Sequence, residues 1–310
     1  MTTTTNGLEP GGAAPGTAVP VLVVTDLRRS FSGVQAVAGI SFEVPKGSTV
    51  SIIGPNGSGK TTTLNLVTGV LAPDSGTVVV EGRPVARRRP EEVAESGIRR
   101  TFQNGRVFGN LTVKQNIEVA LHAGLSAHRP FRPLAAVPVL RWLSLIGEVF
   151  VALAGTARAE RRQMDDAIAT QVDRFAERLG PRVSHLAYTL SYANRRRTEI
   201  ARALAGNPDL LVLDEPTAGM NQTETAEVLD QLLELKAQGQ TILLVEHKLD
   251  LVMRLSDHVL VMDEGHVIAE GPPAEVRTNP RVIDAYLGRR HAQVAARQAE
   301  QAAERGNYAI

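Results

Sequence analysis

The sequence lacks cysteine and has few aromatic residues, and both absences exclude classes of function. Without cysteine the chain has no disulfide, no thiol nucleophile and no cysteine-ligated metal, which is consistent with a reducing cytoplasm. Aromatic residues make up 4% of the chain and the net charge is +1. Neither base stacking nor electrostatic attraction therefore indicates a nucleic-acid partner.

Neither a signal peptide nor a membrane-spanning helix is expected. Residues 1–20 lack the basic start and apolar middle of a signal peptide, and we expect a disordered tail. Residues 134–154 are apolar, but Pro138, Arg141 and Glu148 divide them into pieces. Each piece is far shorter than the roughly 20 residues that span a bilayer. A helix lying against a membrane partner is the more plausible interpretation.

A glycine-rich motif is the strongest functional signal in this 310-residue, 43% apolar chain. It matches G-x-x-x-x-G-K-[ST] and lies between a predicted buried strand at residues 49–53 and a predicted helix at residues 61–67. Its residues are Gly54, Pro55, Asn56, Gly57, Ser58, Gly59, Lys60, Thr61 and Thr62.

This motif predicts a phosphate-binding loop. Its glycines let successive backbone N–H groups turn inward around an anion, and the helix N-terminus adds its positive dipole end. Lys60 would neutralise the β and γ phosphates, and Thr61 would offer a hydroxyl to Mg2+. The alternative is a glycine-rich turn that binds nothing.

A second signal is a pair of acids that follows the apolar run Leu210–Leu213. Such a run predicts a buried strand, and ligands bind at the carboxyl edge of open α/β sheets. Asp214 would hold Mg2+ through water and Glu215 would polarise the attacking water. The alternative is an ordinary acidic turn, which the phosphate loop makes the weaker interpretation.

Three further candidates carry weaker signals. Phe31 either stacks on an adenine ring or belongs to the core. Gln103 follows a short predicted strand and either binds Mg2+ or water through its carbonyl or faces solvent. His247 follows the apolar run Thr241–Val245 and either reaches the γ-phosphate or is a surface residue.

Ser191 is well placed to cap a helix that includes Arg195, Arg196 and Arg197. The free N–H groups behind Ser191 can face an anion. The three arginines taken alone indicate a solvated helix face.

The predicted fold is an α/β P-loop ATPase core, with a mixed sheet, flanking helices and an antiparallel β subdomain. A helical subdomain at about 112–205 is inserted into it. Within that segment, four apolar residues share one predicted helix face and are expected to pack: Ile168, Val172, Phe175 and Leu179. The domain spans 21–288, and 289–310 form a charged tail.

The order of these motifs resembles the ATP-binding subunit of ABC transporters over residues 21–288. Smaller motifs look like the branched-chain amino acid importer type. They are Arg100–Gln103, Ser191-Tyr192, Arg196-Arg197 with Glu199–Arg202, Ala218–Asn221, Glu246-His247 and Ala285–Gly288.

The resemblance implies ATP and Mg2+ as cofactors and ATP hydrolysis that drives solute import, with branched-chain amino acids or related small amides as the expected solutes. It implies that Phe31 stacks on adenine, Gln103 senses Mg2+ and the γ-phosphate, Asp214 supports Mg2+, Glu215 is the general base and His247 is the switch.

The resemblance also implies partners and a location. The expected partners are membrane permease subunits, a second ATP-binding subunit that is identical or related, and an extracytoplasmic solute-binding protein. The chain would act at the cytoplasmic face of the membrane. Residues 190–194 occupy the signature motif, where Ser191 and Ala193 would cap the ATP held by the opposite subunit.

The signature motif departs from the family pattern at Ala193, where glycine is usual, and at Asn194, where glutamine is usual. A methyl group that approaches a phosphate could weaken the nucleotide sandwich. Three alternatives therefore stay open: a regulatory module with weak turnover, a non-transport ABC ATPase that acts on nucleic acid or ribosomes, and an exporter similar to lipopolysaccharide-export ATPases.

Overall fold

The computed structural model describes residues 20–101, 107–125 and 156–286. The predictions for Gln103, for the apolar stretch 134–154, and for the tails at 1–19 and 289–310 lie outside these residues.

Ten strands are described, and the predicted apolar runs form three of them. β3, β7 and β8 consist entirely of buried residues, as expected for strands covered on both faces. The strands are β1 (Pro20–Phe31), β2 (Val34–Pro45), β3 (Thr49–Ile53), β4 (Ser75–Val80), β5 (Arg83–Pro84), β6 (Ile98–Arg100), β7 (Leu210–Asp214), β8 (Ile242–Val245), β9 (His258–Asp263) and β10 (His266–Gly271).

The described helices alternate with strands in the second half of the chain. They are α1 (Lys60–Val67), α2 (Pro90–Glu95), α3 (Val113–Leu125), α4 (Thr156–Asp173), α5 (Ala176–Leu179), α6 (Tyr192–Ala205), α7 (Gln222–Ala237), α8 (Leu249–Leu255), α9 (Pro273–Thr278) and α10 (280–286). Local capping defines two starts. Ser191 caps α6, and Asn221 forms a reciprocal capping box with Glu224 at α7.

The strands form two sheets, which confirms the predicted mixed sheet and antiparallel subdomain. The larger sheet has the order β10-β9-β3-β8-β7-β6; its strands are parallel except for the antiparallel pair β9 and β10. The smaller sheet is antiparallel, in the order β2-β1-β4-β5. Because β3, β8 and β7 are parallel neighbours, the residues that follow them meet at one sheet edge.

The helices of the middle segment pack against one another and against α6. Ile168, Val172, Phe175 and Leu179 are all buried in one apolar cluster with Val113 and Ile117 of α3. The predicted packing face is therefore confirmed. Among the described residues, no helix is long and apolar enough to cross a membrane.

Candidate nucleotide-binding site

The phosphate loop connects β3 to α1, and its backbone requires glycine at two positions. Gly54 has φ 150° and Gly59 has φ 102°, and Gly59 immediately precedes α1. A Cβ on Gly54 would lie 2.1 Å from the Met262 carbonyl oxygen, and one on Gly59 would lie 2.3 Å from that of Ala36. The loop therefore passes against neighbouring backbone where no side chain fits.

Two polar groups of this loop are buried and suit an anion. Lys60 is 7% exposed, and its ammonium donates to the carbonyls of Gly54 at 2.8 Å and Pro55 at 2.9 Å. The Ser58 hydroxyl oxygen is buried and has no hydrogen-bond partner in the described part of the chain. The first N–H groups of α1 also lack intrahelical partners, as in any helix. Donors thus converge where the sequence predicts phosphate.

Asp214 ends β7 and is paired with a buried cation. Arg100 Nη2 lies 2.8 Å from Asp214 Oδ2, and the two side chains are 6% and 2% exposed. Oδ1 of Asp214 is buried and makes no hydrogen bond to any described residue. Sequence reasoning missed this partner, although the Arg100–Gln103 motif contained it. One oxygen of the carboxylate is thus held while the other stays available to a ligand.

Glu215 follows Asp214 in a left-handed backbone conformation, with φ 48°. Its N–H donates to the Val245 carbonyl oxygen at 2.8 Å, and its side chain is 19% exposed. His247 Nδ1 lies 4.0 Å from Glu215 Oε2, so the structure brings the predicted base and the predicted switch residue together. The His247 side chain is 52% exposed, open to a ligand.

Glu246 is a further site residue that sequence reasoning did not single out for a role. Its side chain is fully buried, and its carboxylate accepts hydrogen bonds from the Thr217 hydroxyl and, at 2.9 Å, from the His247 backbone N–H. The same carboxylate lies 3.3 Å from His247 Nδ1. The available signal was a charged residue immediately after the apolar β8. Glu246 orients His247 from behind.

The signature residues lie at the start of α6 and differ in exposure. Ser191 is exposed, and its hydroxyl accepts from the Asn194 N–H at 3.3 Å. Tyr192 is 44% exposed, whereas Ala193 is 3% exposed and belongs to the apolar cluster around α3 and α6. The Ala193 methyl therefore packs inward.

The expectation of a solvated arginine face on α6 is wrong for two of its three arginines. Arg196 and Arg197 are 1% and 2% exposed. Their charges are offset inside the protein, because Arg196 pairs with Glu199 at 2.7 Å and Arg197 with Glu227 at 2.6 Å.

Phe31 is the last residue of β1 and is not a core residue. It is 40% exposed, and the Arg29 guanidinium carbon lies 4.9 Å from the centre of its ring. An exposed aromatic ring is compatible with stacking on a base.

Tyr286 of α10 reaches the back of the phosphate loop. Burial raises the pKa of Tyr286 to about 12, because the phenolate is separated from water. The nearby Gly54 backbone partly opposes this shift but forms no hydrogen bond of normal geometry with the buried hydroxyl. The C-terminal helix therefore contacts the candidate site.

Two family models match the chain. The model described as ABC transporter matches residues 37–218, and the model described as branched-chain amino acid ATP-binding cassette transporter matches residues 266–292.

Two curated relatives are similar over most of the chain. The high-affinity branched-chain amino acid transport ATP-binding protein LivG of Salmonella typhimurium is 38% identical over 270 residues, which cover 87% of this chain and 98% of LivG. The corresponding protein BraF of Pseudomonas aeruginosa is 36% identical over 274 residues, which cover 87% of this chain and 98% of BraF.

Solved structures agree. A nucleotide-free ATP-binding cassette from an ABC transporter aligns with a TM-score of 0.68 at 32% identity and covers 86% of this chain and 99% of its own. An ATP-binding cassette in its ADP conformation aligns with a TM-score of 0.69 at 30% identity and covers 87% of this chain and 100% of its own.

Proposed function

Because this chain belongs to the ABC transporter ATP-binding family, we propose that the edge formed by β3, β7 and β8 is its ATPase site. The chain is the ATP-hydrolysing subunit of an ABC importer and works peripherally with membrane permease subunits. The regulatory, non-transport and export alternatives are not favoured. The observation that carries the proposal is the meeting of the phosphate loop, Asp214, Glu215 and His247 at one edge of a parallel sheet.

The chain's own residues divide the chemistry of hydrolysis. The phosphate loop and Lys60 bind the β and γ phosphates, and Glu215 accepts a proton from the attacking water. His247 contacts the γ-phosphate, and Glu246 holds its ring from the other side at 3.3 Å. Phe31 supports the adenine. Gln103 remains a predicted γ-phosphate and Mg2+ sensor.

The residues also fit Mg2+, which neutralises phosphate charge when it is bound. The buried, unpaired Oδ1 of Asp214 is a suitable oxygen ligand, directly or through water, and Thr61 adds a hydroxyl. Within the described residues there is no cluster of three or more His, Asp or Glu side chains that could hold a metal alone. This suits Mg2+, which proteins commonly bind through one or two carboxylates together with substrate phosphates.

Branched-chain amino acids are the proposed solutes, because both curated relatives are named for their transport. The solute itself is recognised by an extracytoplasmic binding protein and by the permease. This subunit therefore acts at the cytoplasmic face.

A groove between α2, α3 and α6 suits a short helix of the permease. It has a volume of about 700 Å3, and its lining is mostly apolar. Its apolar lining includes Ala94, Val107, Phe108, Val119, Ala120 and Ala203. Phe108 is 50% exposed under the Arg202 guanidinium, and Glu91 and Glu95 add negative charge. An amphipathic helix with basic flanks matches this lining.

Dimerisation completes the proposal. Ser191 and Tyr192 are exposed at the start of α6, where they can meet the nucleotide of a second ATP-binding subunit. The Ala193 methyl is directed into the core, which removes the reason to expect a weakened sandwich.

The deciding measurement is steady-state ATP hydrolysis with Mg2+ across a protein concentration series, for the wild type and Glu215→Gln. We expect wild-type activity to rise more than linearly with concentration as dimers form. Glu215→Gln should bind ATP and lose turnover by about a hundredfold or more. Glu270→Gln, at an exposed glutamate of β10, is the matched control and should retain turnover. Undiminished turnover in Glu215→Gln would overturn the proposed site.

A further inference from the structure

Arg196 joins the signature helix to the end of the strand that carries the base. Its Nη2 donates to the backbone carbonyl oxygens of Asp214 and, at 2.9 Å, of Glu215. Its Nη1 lies 2.7 Å from Glu199 Oε2, one turn further along α6. A single guanidinium thus spans a helix and the catalytic edge of the sheet.

The cost of burying this group indicates a specific role. Arg196 and Glu199 are each 1% exposed, and removing such charges from water is unfavourable unless the geometry is good. The neighbouring Arg197 is equally buried but binds Asn194 and Glu227 and makes no contact with Glu215 among its described partners. Burial on α6 alone therefore does not explain the two bonds to β7 and Glu215.

These bonds act on a residue with a strained backbone. Glu215 has φ 48°, a conformation that non-glycine residues hold only when their surroundings fix it. Its N–H is bound by Val245 and its carbonyl by Arg196, so the peptide units on both sides of Cα are restrained. The direction of the Glu215 carboxylate depends on this restraint.

We infer that Arg196 is a positioning residue, which sets the Glu215 backbone according to the position of the signature helix. The inference rests on the proposed roles of Glu215 and Ser191. Ser191 and Arg196 lie five residues apart on one helix, about 7 to 8 Å along its axis. Contact between a partner subunit's nucleotide and the start of α6 is thereby transmitted to this subunit's own base, and the two ATP sites of a dimer are coupled.

The test uses Arg196→Gln/Glu199→Gln, which removes the buried pair without leaving one charge unpaired. We expect its ATP affinity, measured by fluorescent-nucleotide titration, to stay within about twofold of wild type, while kcat falls about tenfold or more. The Hill coefficient for ATP hydrolysis should fall to about 1. Arg196→Lys keeps the charge but not the fork of donors, and should be intermediate in kcat.

The matched control is Lys236→Gln/Asp257→Asn. This pair has the same chemistry, because Lys236 lies 2.7 Å from Asp257 Oδ1 and donates to the Leu255 carbonyl at 2.8 Å. It should lower the thermal midpoint without changing kcat or the Hill coefficient.

The outcomes separate this inference from the proposed function. If Glu215→Gln loses turnover while the Arg196 and Glu199 variants retain wild-type kcat and Hill coefficient, the coupling is refuted and the ATPase site stands. If kcat and ATP affinity fall together in proportion to lost folded protein in Arg196→Lys as well, Arg196 is only structural and the inference is also refuted. Full turnover in Glu215→Gln would refute the site itself.

Discussion

Arg100 and Asp214 form an ion pair inside the protein, with 2.8 Å between Nη2 and Oδ2. The second terminal nitrogen of the same guanidinium donates to Asn65 Oδ1 at 2.7 Å and to Thr68 Oγ1 at 2.9 Å, both in or next to α1. Arg100 therefore connects β6, the strand that ends just before the segment of Gln103, to the helix behind the phosphate loop and to the proposed metal carboxylate.

Arg100→Met should destabilise the protein strongly. The substitution leaves the Asp214 carboxylate buried without a cation, and breaking a buried pair in this way costs about 3 to 5 kcal/mol of unfolding free energy. Urea denaturation monitored by circular dichroism measures it. Lys114→Met, which breaks an exposed pair with Asp165, is the control and should leave the midpoint nearly unchanged. Equal midpoints for both variants would contradict the prediction.

Gly59→Ala should cost more stability than Gly57→Ala. Both residues have positive φ, at 102° and 82°, so both alanines suffer the left-handed penalty of about 1 to 2 kcal/mol. Only at Gly59 does the new Cβ also meet backbone, 2.3 Å from the Ala36 carbonyl oxygen, whereas nothing lies within 4 Å at Gly57. Denaturation midpoints of the two variants test this. Similar losses would show that the Gly59 segment shifts freely away from Ala36.

Ala193→Gly should not raise ATP turnover. The Ala193 methyl is buried in the core, so its removal frees no space for a phosphate and instead costs about 1 kcal/mol of helix stability. Turnover and the thermal midpoint of the two proteins, measured at equal dimer content, check this. Faster hydrolysis by the variant would mean that the methyl obstructs the nucleotide sandwich after all.

Stability should fall between about pH 10 and pH 12 because of Tyr286. Its folded pKa is raised to about 12, above the ordinary value of 10.0, so the unfolded chain loses this proton first. The contribution is fully present below pH 10 and disappears as the pH rises through the folded pKa. Tyr286→Phe removes this part of the pH dependence, and phenolate absorbance at 295 nm should lose its most alkaline component. An identical alkaline titration in both proteins would refute the assignment.

Much of the site could be read from the sequence because its chemistry is local. The phosphate loop depends on backbone torsions within residues 54–59, and glycine, lysine and threonine at fixed spacing report those torsions directly. The buried strands β3, β7 and β8 are apolar throughout, which predicts both their burial and the edge at which Asp214, Glu215 and His247 meet.

Only the tertiary structure decided how these residues are held. Arg100 and Asp214 are 114 residues apart, and Arg196 reaches Glu215 across a helix and a strand. A run of arginines has the same local pattern whether it faces water or the interior, and what distinguishes the two is the presence of Glu199, Glu227 and two backbone carbonyls nearby. The motifs thus determined which groups carry the chemistry, while long-range packing determined their orientation and charge balance, because buried charges find partners in space and not along the chain.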